Sequence, residues 1–388
     1  MQGDQEQQAE VQRWTANLEV MHSRIAKRFV RAEPRFRVLA YLEGLLSPIE
    51  RKNGWQLAEH AGNITPDGIQ RLLTTAQWDA DLVRDDLQTY VIESLGDPHA
   101  VLVVDEIRFL KKGTKSVGVE RKFNRMTGRF ENCQIGIFLA YASSAGWTFF
   151  DRELYLPKSW SENSERCRQA GIPDTVKFRR RPQLAMAMIE RVKASGVSVP
   201  WVTADDVFGK SQPLRMVLQS ENQSYILAIH SSDLVDISRN SRSQSMIAAE
   251  VGLEIETWSR LNAREGAKGL WLNKWGLVPL EDRSFGNISM KRQWLLVRRN
   301  ISDPNDLGYY LVFGDKSTSL EEMVTVVGSR WAIKETIETA KGEVGLDQYE
   351  VRHWKSWYRH ITLAMLAHAC LTVSRAQAAQ HIREKGDS

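Results

Sequence analysis

Two aspartates, Asp105 and Asp205, each close an apolar run: the first ends VLVVD and the second PWVTAD. Such runs, without polar alternation, predict strands buried on both faces. A carboxylate at the end of a strand in an α/β sheet sits on the rigid face where ligands bind. If the two strands are neighbours, their acids can share hard cations, because Mg²⁺ takes oxygen ligands and keeps several waters for substrate phosphates. Two such ions about 3.5–4 Å apart activate a water or hydroxyl and stabilise the leaving oxygen in phosphoryl transfer. Either acid alone serves as readily to cap its strand or turn. The pair, with an acid-bearing helix downstream, fits either reading. That helix is RWAIKETIETAK, Arg330 to Lys341, which carries Glu335 and Glu338 and, just ahead of them, Lys334.

The elements that position these residues follow from periodicity. Residues 1–98 predict helices without a strand. Within them Gly54 to His60 and the stretch after Asn63 predict two short helices, broken at Gly62, the second capped by Thr65 with Pro66 at its first position. Such a pair forms either a helix-turn-helix, with Gln70, Arg71 and Thr74 towards DNA, or an ordinary helical hairpin. From Pro98 strands are expected at AVLVVDE, KSVGVERKF, CQIGIFLAYAS, WTFFDRELYLP, VPWVTADD and SYILAIH, with helices at RPQLAMAMIERVKASG and PLRMVLQSENQ. Residues 232–321 switch to short antiparallel segments with polar turns, and long helices return over 322–380. The expected division is therefore 1–98, helical; 99–231, first part of an α/β core; 232–321, a β-rich insertion; 322–380, closing helices.

Composition sets wider bounds. A chain of 388 residues exceeds one ordinary core. Its Lys and Arg number 52 against 48 Asp and Glu, a mildly basic balance that permits nucleic-acid binding without requiring it. The cations cluster in FLKKGTK (Lys111, Lys112), KFRRRP (Lys177, Arg179, Arg180, Arg181) and LLVRRN (Arg298, Arg299). Cysteines 133, 167 and 370 are far apart and lack a CxxC pair, as in a reduced cytoplasmic protein without structural zinc. The polar, acidic N-terminus is no signal peptide. LAMLAHACLTV, the longest apolar run, is too short to span a bilayer and predicts a buried helix. Trp271, Trp275 and Trp294 are expected in the small core of the β-rich insertion, or else to stack on an unpaired base. Trp354, Trp357, His360 and His368 recur at helical spacing as core and interface residues.

Taken in order, DEIRFLKKGTKSVGVERKF, ENCQIGIFLAYAS, DRELYLPKSW, GIPDTVKF, TADDVFG and RWAIKETIETAKGEVGLDQYEVRHWKSWYRHITLAMLAHA resemble the bacterial insertion-sequence transposases of the DDE superfamily. AEPRFRVLAYLEGLLSPIERKNGWQLAEHAG is similar to that family's helical start, so the resemblance runs from Arg31 to Arg375. It implies an α/β, ribonuclease-H-like catalytic core with a helical N-terminal domain and a β-rich insertion. It also implies cleavage and joining of double-stranded DNA at inverted-repeat ends and target, with Mg²⁺ or Mn²⁺, by a homodimer on DNA with no membrane attachment. The family's first two catalytic aspartates fall on Asp105 and Asp205. The resemblance turns the basic runs, together with Arg330 and Lys341, into expected DNA contacts through phosphates.

The family's last motif runs Arg, three residues, Glu, six residues, Lys. Arg330 and Lys341 match it, but Lys334 stands where the glutamate belongs. Residues four apart on a helix share a face, so Glu338, about 6 Å further along the axis, is the expected substitute as third catalytic and metal-binding acid. Glu335 is rotated by about 100°. Ile107 and Arg108 replace the small residues usual after the first aspartate, and Arg108 is expected to crowd Asp105. These departures leave three possibilities open: an active transposase, a descendant that binds DNA without cleaving it, and a co-opted chain with a repurposed pocket.

Overall fold

The structure, a computed structural model, describes all residues except 1, 125–126, 240–241, 267–268, 282–290 and 387–388. Five helices come first: α1 (Gln2–Ala26), α2 (Ala32–Leu46), α3 (Gly54–His60), α4 (Asp67–Thr74) and α5 (Ala80–Leu95). Next come β1 (Val101–Leu110), β2 (Glu120–Asn124), β3 (Arg129–Ala142) and β4 (Trp147–Tyr155), then α6 (Lys158–Ser161), α7 (Ser164–Gln169) and α8 (Arg181–Ala194). β5 (Trp201–Ala204), α9 (Asp206–Gly209), α10 (Gln212–Ser220) and β6 (Ser224–Ile229) follow. β7 (Leu234–Arg239) and β8 (Arg242–Ile247) form a hairpin, and α11 (Ala248–Leu253) leads to β9 (Ser259–Gly266), β10 (Gly269–Pro279), β11 (Lys291–Asn300) and β12 (Leu307–Asp315). Two long helices close the chain, α12 (Leu320–Val344) and α13 (Trp354–Gly386). No helix among the described residues is long and apolar enough to cross a membrane.

The chain divides into two compact units. The first holds Met1–Asp97, Glu106–Arg180 and Glu335–Ser388; the second holds Pro98–Asp105 and Arg181–Lys334. In the first unit β3 pairs antiparallel with β2 over its first half and with β4 over its second, and the far half of β1 neighbours β3. Helices α1, α2, α4 and α5 all pack on α13, whose stretch from Ile361 to Ser374 is buried throughout. His360 and His368 are core residues of this helix. Tyr41 Oη lies 2.7 Å from His360 Nδ1, and Thr148 Oγ1 lies 3.1 Å from His368 Nδ1. Burial pushes these imidazoles down to about 3 and about 4.

One α13 side chain ties down the end of α4. Arg359, fully buried, donates to the carbonyls of Leu72 (3.3 Å), Thr74 (3.1 Å), Ala76 (2.5 Å) and Trp78 (2.7 Å), and its guanidinium lies 4.7 Å from the Trp78 ring. Carbonyls at the end of α4 that the helix leaves without partners are thereby satisfied. Gly62, at φ 71°, makes the left-handed break between α3 and α4. The second helix starts one residue later than expected: Pro66 is its N-cap and Thr65 instead bonds Asp67. Ile69, Leu72 and Leu73 face inward, while Gln70, Arg71 and Thr74 are exposed.

In the second unit the order is β1-β5-β6-β12-β11-β10-β9, parallel from β1 to β6 and antiparallel thereafter. Every residue of β5 and β6 is buried, which is why both read as continuous runs rather than alternating ones. β12 pairs with β6, so the strands that follow α11 extend this sheet. Trp275 and Trp294 are buried among them; the side chain of Trp271 lies outside the described residues. Parallel β1, β5 and β6, with β3 beside β1, and a β-rich block between β6 and α12, make the fold ribonuclease-H-like.

Candidate active site

Parallel pairing of β1 with β5 sets the site. The ladder ends at Val104 opposite Ala204, and the next residue on each strand is an aspartate, Asp105 and Asp205. Neighbouring strands lie about 4.8 Å apart, so this register sets the two aspartates at adjoining positions, one residue beyond the paired ends. Both residues are half-buried. β1 does not stop at Asp105, as the apolar run suggested, but continues to Leu110. Asp105 is therefore held within a strand, at the point where its pairing with β5 ends.

Asp205 is fixed differently, as the N-cap of the short turn α9. Its side chain accepts from Val207 N at 3.0 Å, and its carbonyl accepts from Gly209 N at 2.9 Å. Phe208 is fully buried. Gly209 lies so close to β6 that a Cβ there would stand 1.8 Å from the Ala228 carbonyl oxygen. Within TADDVFG, then, the phenylalanine anchors the turn and the glycine admits the strand beneath it. Neither this close approach nor a dyad beside it is visible in the sequence: His230 Nε2, one residue beyond β6, lies 2.6 Å from Asp206 Oδ2.

Arg108 does not crowd Asp105. Alternation along a strand puts Glu106 and Arg108 on the face opposite Asp105 and Ile107. The guanidinium is taken up by Glu106, at 3.1 Å from Nε and 3.0 Å from Nη2, and Ile107 is buried. Lys334, Glu335 and Glu338 are all exposed on α12. Glu338, 75% exposed, pairs with Lys341 at 3.0 Å, so those two expected site residues hold each other. Among the described residues no three His, Cys, Asp or Glu side chains are grouped to hold a metal ion. Asp105 and Asp205 are donors of the type Mg²⁺ takes, since that ion is commonly held by one or two carboxylates and completed by water and substrate phosphates.

The expected DNA contacts divide by their present partners. Lys112, Lys177, Arg179 and Arg180 are exposed, and Arg181 is half-buried. Lys111 instead folds onto Tyr349, 3.3 Å from the ring centroid, and burial lowers its pKa to about 7. Arg298 pairs with Asp306 at 2.7 Å, and Arg299 lies 4.0 Å from the Trp258 ring. Both brace the β-rich block. Arg330 is half-buried, with no hydrogen-bond partner for its Nε among the described residues.

A ribonuclease-H-like sheet is the core of a class of nucleases, and the family comparison agrees with that fold. Residues 24–243 match the family of DDE superfamily endonucleases, and the chain belongs to that family. Among curated proteins it is similar to a probable transposase for insertion sequence element IS701 from Microchaete diplosiphon. The two are 24% identical over 322 residues, covering 82% of this chain and 78% of the relative.

Proposed function

We propose that the protein is a DDE-type transposase, cutting DNA at the ends of an insertion sequence and joining those ends to a target. The observation that carries this reading is the in-register placement of Asp105 and Asp205 one residue beyond Val104 and Ala204, in a chain of the DDE endonuclease family. These two carboxylates would hold Mg²⁺ or Mn²⁺. When bound, a divalent cation supplies charge neutralisation at the scissile phosphate and acidifies a water or hydroxyl. Asp205, clamped by the α9 turn, and Asp105, held in β1, contribute a rigid geometry that needs no rearrangement as substrate arrives. Glu338 is the acid assigned to the third position, one turn beyond Lys334, and must release Lys341 to serve there. Lys112, Lys177, Arg179 and Arg180 neutralise the DNA backbone, and Gln70, Arg71 and Thr74 form the exposed face offered to the duplex.

The test is divalent-ion-dependent nicking and strand joining on DNA bearing the element's ends. The natural chain should nick, while Asp105→Asn and Asp205→Asn should bind the same DNA without nicking it. Undiminished nicking by either variant would remove the carboxylate pair from the chemistry.

A further inference from the structure

The β2–β3 ribbon carries a feature that catalysis at the carboxylate pair does not use. Phe123 and Phe130 stand directly opposite each other in its register and are 49% and 62% exposed. Their rings meet edge to face, with centroids 5.3 Å apart. Alternation puts Arg121 and Phe123 of β2 on one face with Phe130 and Asn132 of β3. The Arg121 guanidinium lies 5.7 Å from the Phe130 ring. Both nearby acids belong to the other face: Glu120 pairs with Lys122 at 3.0 Å, and Glu131 accepts from Asn124 at 2.6 Å. Among the described residues of the ribbon, the aromatic face thus offers two rings, a cation and an amide, and no carboxylate. At the ribbon's turn Gly128, at φ 67°, has open space around it.

Two exposed phenylalanines side by side are costly in water and mark a surface that meets something. Rings flanked by a cation suit bases, whose π-faces stack on aromatic side chains while the adjoining phosphate is neutralised. We propose that this ribbon is a base-stacking platform: Phe123 and Phe130 take the face of an unpaired DNA base and Arg121 takes a neighbouring phosphate. A carboxylate-free face favours this occupant over a second copy of the ribbon, which would bring Arg121 against Arg121. The proposal rests on DNA being the substrate.

Binding of the full chain to a fluorescent single-stranded oligothymidylate and to a duplex, in chelator so that nothing is cut, tests it. Phe123→Leu with Phe130→Leu keeps the apolar bulk and removes the π-faces. This pair should lose about ten-fold or more in affinity for the single strand, with duplex binding unchanged. Phe123→Tyr with Phe130→Tyr should retain that affinity, and Arg121→Gln should lower the single-strand salt slope by about 0.7. Equal single-strand affinity in the Leu pair and the natural chain overturns the platform while leaving the transposase reading intact. So does sedimentation showing that the Leu pair loses only self-association. Failure of the natural chain to bind either DNA overturns both.

Discussion

Gly209→Ala adds a single methyl group four residues after Asp205, on the turn that this aspartate caps. The new Cβ would lie 1.8 Å from the Ala228 oxygen and 2.9 Å from its carbonyl carbon. Both of these atoms are backbone, so no flexible side chain can swing away to make room. Relieving the overlap moves the turn by roughly 1.2 Å or more, since carbon contacts are comfortable only well beyond that separation. Alanine's better helix propensity, at most about 1 kcal/mol, is outweighed by an overpacking cost of about 1–3 kcal/mol. Asp205 caps this turn and moves with it. Misplacing a catalytic group by about 1 Å costs on the order of 100-fold in rate. The expected outcome is a chain that remains folded, loses about 1–3 kcal/mol in denaturant titration and nicks DNA about 100-fold more slowly. Gly342→Ala is the control, because Gly342 is exposed on α12 with nothing within 4 Å of its added Cβ. Nicking by Gly209→Ala at the natural rate would refute the argument that the glycine positions Asp205.

Four further outcomes follow from contacts described above. Gly342→Ala should raise stability by about 0.5–1 kcal/mol through helix propensity, read from the denaturant midpoint; a fall would show that the glycine has a packing role. Arg359→Met should cost at least about 3 kcal/mol, since hydrogen bonds from a charged donor are worth about 1.5–3 kcal/mol and four carbonyls lose theirs; an unchanged melting temperature would contradict the anchoring role. His360 and His368 stay neutral in the folded chain down to about 3 and about 4, whereas the unfolded chain takes up their protons near about 6.5. Their contribution is therefore intact above about pH 6.5 and lost as pH falls towards 4, by up to about 1.4 kcal/mol per unit for each; a pH slope left unaltered by His368→Asn would exclude that histidine as a source. Lys334→Glu should raise Mg²⁺-dependent nicking and Glu338→Gln should lower it; equal rates in both variants and the natural chain would take α12 out of the third-acid position.

Much of the core was legible because its strands are buried on both faces. VLVV, WVTA and SYILAI announce themselves as continuous runs, and the parallel register of the first two ends one residue before Asp105 and Asp205. Continuous burial says nothing about where a strand ends, which is why β1 runs five residues past Asp105. Arg108 was misjudged because adjacency in sequence suggested adjacency in space, whereas a strand sends it to the opposite face. Gly209 and the His230–Asp206 dyad depend on β5 and β6 being neighbours, and no local pattern encodes that pairing. The basic runs were visible as charge, but a run does not reveal that Lys111 lies on Tyr349 or that Arg298 answers Asp306.

The dependence of α1, α2, α4 and α5 on α13 has a consequence for synthesis. These helices are made first, yet the surface they pack against begins at Trp354, after most of the chain. At ribosomal rates of about 5–20 residues per second, the gap between Asp97 and Trp354 corresponds to roughly 10–50 s. Throughout that interval α4 has no Arg359 to receive its end, and the apolar sides of the early helices stand open. A nascent or truncated chain thus emerges with the end of α4 unsupported, and the helical block closes only when the final helix arrives.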